Sequence, residues 1–411
     1  MRHIAVISNM YYPTMGGPSA VISKYIEELK KEYTFHIITK TEESHFEPSK
    51  EFDIYYISSF RHKIHQYSLY NIKKGKYVVL NRMLYNLVRL SMIIQSQYTF
   101  PSSKKWEVNA YYKKLQELHK EYNFDTIIAV SDYYVTQMAV MKYKIENPSV
   151  KWISFITDPY SENYAYYKKR LFKPFWKRKN LEMEQRIYNM ADYCMFTTEL
   201  YKFIPNNFVI DKEKVYPIYF PLNHGLSGRT KGDLSNDGKC SLIFAGMLYK
   251  QIRNPEFALS TLSRVEDIIF DLYTARNECE DIIKRYVSDN INRYFYVSRS
   301  EYEELIKSKY DILVNIGNVS TLQAPSKTLE LLSTGKPIIN FYFTEDSQFE
   351  MIKKYPLGLN IKDQEIGAVE KISKFCREMK GRILPFEEIE KLYPENNIKY
   401  QVKLLRKLIE A

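Results

Sequence analysis

The feature that most constrains this chain is an alternation of short apolar runs with stretches of helical spacing, which stops once near the middle and then begins again. Such alternation predicts a parallel sheet covered by helices, formed twice. In the first half, strands are expected at Ile4 to Ser8, Phe35 to Thr39, Asp53 to Ser58, Thr126 to Val130, Trp152 to Thr157, Tyr193 to Thr197 and Val215 to Phe220. Ala20 to Glu32 carries apolar residues at 21, 22, 25, 26 and 29, which is helical spacing. A long helical region at 67–97 sets Leu80, Met83, Leu84, Leu87, Val88 and Ile94 on one side against Arg82, Asn86 and Arg89. The stretch Pro221 to Lys239, with four glycines and no apolar periodicity, reads as the domain boundary. Beyond it the pattern restarts, with strands at Ser241 to Ala245, Ile268 to Tyr273, Tyr294 to Val297, Asp311 to Ile316 and Pro337 to Tyr342, and helices at Phe257 to Val265, Glu278 to Val287 and Tyr302 to Lys307. The last 45 residues look helical, and Asn397 to Ala411 carries apolar positions at 402, 404, 405, 408 and 409. Domains are therefore expected at 1–222 and 223–396, with a closing helix at 397–411 that packs back on the first domain.

Composition narrows the function classes. At 411 residues, 45% hydrophobic and 27% charged, the chain has the balance of a soluble globular protein. No segment approaches the roughly 18 uninterrupted apolar residues of a membrane helix, and Met1 runs directly into a strand with no signal-peptide pattern, which points to the cytoplasm. Cysteines 194, 240, 279 and 376 have no short metal spacing and read as reduced core thiols. The net charge of +11 is concentrated: between 61 and 120 twelve Lys or Arg stand against two Glu. A second run, from Lys168 to Lys179, mixes cations with Phe172, Phe175 and Trp176.

In doubly wound sheets ligands bind beyond the carboxyl ends of the strands, so the loops there hold the candidates. Gly16-Gly17 follows the first strand and precedes a helix, where backbone can approach a phosphate closely; a plain turn has the same residues. Gly246 to Pro255 follows the first strand of the second half, and Lys250 and Arg253 could there neutralise a diphosphate. Pro325 to Ile339 reads as loop, helix, glycine stop and strand. In it Ser326 can cap the helix, Lys327 stands where the helix dipole favours anions, and Glu330 can accept two hydrogen bonds from a vicinal diol such as a ribose. Gly335 can take the left-handed turn that ends the helix. Asp158, in the Asp158-Pro159 turn, is either a cleft carboxylate or a helix cap. Asp132 is a weaker cleft candidate. The chain has no Asp-x-Asp, no Gly-x-Gly-x-x-Gly and no Gly-x4-Gly-Lys, which counts against a metal-diphosphate grip, a dinucleotide dehydrogenase and a P-loop enzyme.

In order along the chain, Tyr12-Pro13-Thr14-Met15-Gly16-Gly17, Phe155-Ile156-Thr157-Asp158-Pro159-Tyr160 followed by Met190-Ala191-Asp192, Phe244-Ala245-Gly246 with Arg253-Asn254-Pro255, and Pro325-Ser326-Lys327 through Glu330 to Gly335-Lys336-Pro337 resemble the motifs of the retaining glycosyltransferases of family 4. That resemblance implies the GT-B fold, two Rossmann-like doubly wound α/β domains facing a central cleft, the first for acceptor and the second for nucleotide sugar. It implies that Gly16 and Gly17 let the donor diphosphate sit against the first helix. Arg253 with Lys327 would hold the charges of the diphosphate and Glu330 the ribose, with Gly246, Lys250 and Ser326 as the other donor-site candidates. Asp158 would stand nearest the reacting carbon, and Arg253 and Lys327 would stabilise the charge on the leaving group. The leaving diphosphate itself would take the acceptor proton. The family usually has a second glutamate eight residues before Glu330, where this chain has Leu322, and Gln323 with the backbone of Ser320 to Ala324 could substitute for it. A basic residue often follows the family's glycine at the position of Met247, which shifts phosphate charge to Arg253.

The resemblance implies a hexosyl-type transferase (EC 2.4), retaining and metal-independent, without cofactor and with a UDP- or GDP-linked donor. It would act on a glycan or lipid-linked acceptor in cell-surface polysaccharide synthesis (capsule, exopolysaccharide or lipopolysaccharide). An epimerase or hydrolase on the same fold, or an inactive GT-B-like scaffold subunit, are the alternatives. The basic first half suits an anionic membrane surface, hence a peripheral place on the inner face of the plasma membrane, or is a solvated helix face. Nucleic acid is not expected, because no recognition motif accompanies the tyrosines.

Overall fold

The computed structural model describes residues 1–12, 15–40, 52–101, 105–131, 134–162, 170–227, 238–295, 297–319 and 326–411. The chain divides into two compact units, Met1–Tyr219 with Ile398–Ala411, and Phe220–Asn397.

The first unit is built on a seven-stranded parallel sheet in the order β3-β2-β1-β4-β5-β6-β7. Its strands are β1 (Arg2–Ile7), β2 (Tyr33–Lys40), β3 (Asp53–Ile57), β4 (Thr126–Ser131), β5 (Lys151–Ile156), β6 (Tyr193–Thr197) and β7 (Val215–Ile218). β4 is buried along its whole length, as a strand covered by helices on both faces must be. Helix α1 (Gly17–Leu29) follows β1 and buries Val21, Ile22, Tyr25, Ile26 and Leu29, the expected stripe. The expected single helix at 67–97 is instead a hairpin of α2 (Phe60–Lys73) and α3 (Val78–Ser96). Gly75, at φ 70, closes α2 through Gly75 N–H to Ile72 O at 3.1 Å and Lys76 N–H to Asn71 O at 2.9 Å, a Schellman ending that needs the left-handed turn. Three further helices of this unit, α4 (Lys105–Tyr122), α5 (Val135–Glu146) and α6 (Lys173–Met190), lie in stretches where no helix was expected, and α7 (Thr198–Asn207) follows β6.

The second unit is a six-stranded parallel sheet, β10-β9-β8-β11-β12-β13, made of β8 (Cys240–Ala245), β9 (Ile268–Tyr273), β10 (Ile291–Tyr294), β11 (Ile312–Ile316), β12 (Ile338–Tyr342) and β13 (Gly358–Lys362). The side-chain period of two sends Leu242, Phe244, Val314, Ile316, Ile339 and Phe341 into one core and Ile243, Leu313 and Ile338 into the other. Two expectations fail at the sheet edges. β10 lies three residues before the expected Tyr294 to Val297, with only Ile291 buried, so its apolar signal is weak. β13, whose one buried residue is Ile361, was not expected, nor was the helix Ser347–Lys354 before it. The closing region is helical, ending in Ile398–Glu410. This last helix is fastened to the first unit: Arg406 pairs with both oxygens of Glu32 at 2.6 and 2.7 Å, and Tyr25 donates to Gln401 Oε1 at 3.3 Å.

Candidate functional site

In the second unit the order of strands reverses between β8 and β11, the position where a doubly wound sheet leaves a crevice at its carboxyl edge. The loops leaving these two strands are tied together. Arg253 Nε donates to Asn318 Oδ1 at 2.9 Å, and Val319 N–H to Ile252 O at 2.8 Å. The Arg253 guanidinium folds back toward the start of its own loop, with Nη1 3.4 Å from Met247 O. A Cβ on Gly246 would crowd the Phe244 ring at 3.2 Å, while Arg253 Nη1 would stand in ordinary contact at 3.6 Å.

The helix after β11, Ser326–Leu332, buries Thr328, Leu329, Leu331 and Leu332. That packing leaves Lys327 and Glu330, three residues apart, side by side on its other face. Ser326 is its first residue and is exposed. Glu330 accepts from Lys327 Nζ at 2.8 Å through Oε1, and from Arg299 Nη1 at 2.6 Å through Oε2. Lys327 Nζ also contacts the Tyr302 hydroxyl and lies 3.9 Å from the centre of that ring. Arg299 and Tyr302 belong to the helix Arg299–Ser308, which a capping box of Ser298 and Glu301 starts.

The electrostatics follow from burial and neighbours. Burial pulls the Lys327 ammonium below its ordinary value, Arg299 and Arg253 push the same way, and Glu330 opposes them. Burial works to raise Glu330, but Lys327 and Arg299 outweigh it and hold the carboxyl below its usual range. Three cations thus act on one carboxylate-bearing region, an arrangement suited to a ligand that brings negative charge and hydroxyl groups. Lys250 is engaged elsewhere, its Nζ 2.8 Å from Asp281 Oδ2 and its backbone N–H 2.7 Å from Glu278 Oε1.

In the first unit, Gly16 precedes α1 and its carbonyl accepts from Ala20 N–H at 2.9 Å. A Cβ on Gly17 would meet nothing within 4 Å, so open space adjoins the backbone there. Asp158 follows β5; burial raises its carboxyl above the usual range, against a 3.2 Å hydrogen bond from the Thr157 hydroxyl. The turn that carries it is held by a residue with no sequence signal of its own. Glu184, fully buried in α6, accepts from Tyr134 Oη at 2.7 Å, Tyr160 N–H at 2.9 Å and Ser161 N–H at 3.3 Å. Arg299 was missed likewise, although Ser298 and Glu301 at capping-box spacing mark its helix. Asp132, Leu322, Gln323 and the 320–325 stretch lie outside the described residues. Among the described residues no group of His, Cys, Asp or Glu could hold a metal ion, and no helix is long and apolar enough to cross a membrane.

No protein-family model matches the sequence, and no curated protein sequence matches it. Solved structures do. A sucrose-phosphate synthase from Thermosynechococcus elongatus aligns over 100% of this chain and 98% of its own, at TM-score 0.68 and 12% identity. Anabaena HepE, in complex with UDP and glucose, aligns over 100% of both chains at TM-score 0.63 and 8% identity. A UDP-N-acetylglucosamine 2-epimerase aligns over 100% of this chain and 94% of its own at TM-score 0.51 and 12% identity. The fold is that of the GT-B proteins, as the motifs implied. At these identities the likeness is one of fold.

Proposed function

We propose that this protein is a retaining, metal-independent glycosyltransferase that moves a hexose-type sugar from a UDP- or GDP-linked donor to a glycan or lipid-linked acceptor of a cell-surface polysaccharide. The observation that carries this reading is the convergence of Arg253, Lys327 and Glu330 beyond the carboxyl ends of β8 and β11. Arg253 and Lys327 would bind the donor diphosphate, and Glu330 the ribose hydroxyls. As the anomeric carbon–oxygen bond to the diphosphate breaks, the acceptor oxygen bonds to the same face and its proton passes to a diphosphate oxygen. The two cations stabilise the charge that grows on that leaving group. Asp158, partly buried and with few competing donors, would orient the acceptor hydroxyl. HepE, which holds UDP and glucose in its solved form, supports a UDP-linked donor.

The test is incubation with UDP- and GDP-sugars and lipid-linked glycans, with the anomeric configuration of the product read by NMR. A glycosylated acceptor of unchanged anomeric configuration supports the proposal. Because an epimerase shares this fold, a product epimerised at the sugar, formed without any acceptor, would replace transfer with epimerisation.

A further inference from the structure

Helix α3 is packed with the opposite sense from an ordinary surface helix. Its one buried residue is the polar Asn81, whose Nδ2 donates to Lys76 O and Tyr77 O, both at 3.1 Å, while its apolar stripe faces out. Met83 is 59% and Leu87 62% exposed, and Leu80, Leu84, Leu90 and Ile94 are exposed with them. At 3.6 residues per turn these six side chains fall within roughly 120° of the helix, over about 21 Å of its length. The inner side of the hairpin is made by other groups, among them the His65 and Tyr85 rings at 4.8 Å.

A second segment joins this face. Leu171 N–H donates to Gln97 Oε1 at 2.9 Å, and Arg170 Nη2 to Thr99 O at 2.7 Å and Pro101 O at 2.9 Å. These bonds set Leu171 and Phe172, the latter 80% exposed, beside the carboxyl end of α3. The start of the described part of the second cationic run thus adjoins the end of α3, although the two are far apart in sequence.

The surroundings of this apolar face decide what covers it. From Ile54 to Trp106 the chain has no Asp or Glu, against nine Lys or Arg. Among them Arg61, Lys63, Lys73, Lys74 and Lys76 are exposed on α2 and the turn after it, and Arg82 and Arg89 are exposed on α3 away from its apolar stripe. Two copies of this hairpin placed face to face would bring like charges together with no acid to pair them. A bilayer of anionic lipid answers both features at once, with headgroups for the cations and an acyl boundary for the apolar stripe.

We infer that α3, with Leu171 and Phe172, is a membrane-insertion surface that lies in the plane of an anionic bilayer and sinks its apolar stripe among the acyl chains. This goes beyond the proposed transfer reaction and does not depend on it.

The test uses the full chain and vesicles of phosphatidylcholine with or without phosphatidylglycerol, at physiological salt. The protein should float with the anionic vesicles, and Met83→Asp with Leu87→Asp should lower the bound fraction by at least about tenfold without changing the melting temperature. All four native cysteines are buried, so Leu87→Cys accepts an environment-sensitive fluorophore selectively. Its emission should rise severalfold and shift to the blue on anionic vesicles. No vesicle binding, binding unaffected by the paired substitutions, or a label that stays in a water-like environment while the protein is bound would each overturn the inference. A dimer that the paired substitutions convert to monomers, without vesicle binding, would assign the face to a second copy. Nucleotide binding by the same variants, read separately, reports on the proposed reaction and not on this surface.

Discussion

Arg299 Nη1 holds one oxygen of Glu330 at 2.6 Å while Lys327 Nζ holds the other at 2.8 Å. The carboxylate is fixed in direction by two partners on different helices, yet each oxygen keeps lone pairs to accept from a ligand. Such preorganisation is what recognition of a ribose diol requires. Replacing Glu330 with Ala should therefore weaken nucleotide-sugar binding by roughly 1 to 3 kcal/mol, measured by calorimetry. Arg299→Ala should cost less, because Lys327 continues to orient the carboxylate. Unchanged affinity in a folded Glu330→Ala variant would remove Glu330 from the site.

The same pair gives a pH dependence of stability. Glu330 is held below its ordinary value of 4.5, so the stability it contributes is present above the unfolded value and is lost as pH falls through the folded one. The gap in melting temperature between the wild type and Glu330→Gln should be widest near neutrality and close below about pH 4.5. A gap that widens in acid would contradict the ion-pair account.

Arg253 is proposed to meet charge that grows during reaction, so its loss should fall on turnover. Arg253→Ala should lower kcat by on the order of 10² and change KM much less. Equal losses in kcat and in donor affinity would make it a ground-state anchor.

Asp158 should separate stability from activity. Its carboxyl is raised by burial, so above its unfolded value the ionised form costs the folded state free energy. Asp158→Asn should keep or raise the melting temperature at pH 7 while lowering turnover at least about tenfold. A variant that melts lower with turnover intact would leave Asp158 as a turn former.

Gly335 sits at φ 74, and a Cβ there would stand 2.3 Å from Leu384 O, whose residue donates its own N–H to Gly335 O at 2.8 Å. Gly335→Ala should cost roughly 1 to 3 kcal/mol from strain alone, seen as a lower denaturant midpoint. An unchanged midpoint would mean that the 381–385 segment moves aside freely.

The two sheets were legible in the sequence because central parallel strands such as β1 and β4 carry unbroken apolar runs, Ile4 to Ile7 and Ile127 to Val130, whichever helix follows them. The edge strands of the second sheet were not: β10 and β13 each bury a single isoleucine, and their sequences carry polar residues to solvent. The helix at 67–97 had one strong period, which hid the stop at Gly75. Within the candidate site, Arg253 and Lys327 stood out by lying just after strands. Glu184 and Arg299 reach their partners from other helices, contacts across 23 to 50 and 31 residues that spacing does not encode.

The most direct measurement is the melting temperature of the wild type and of Glu330→Ala against UDP, GDP, CMP and their sugars, since a ligand that binds only the folded state raises it. A clear rise with UDP or GDP and its sugar in the wild type, much reduced in Glu330→Ala, is the expected result. No rise with any nucleotide would contradict a nucleotide-sugar site in the second unit and leave a scaffold as the better account.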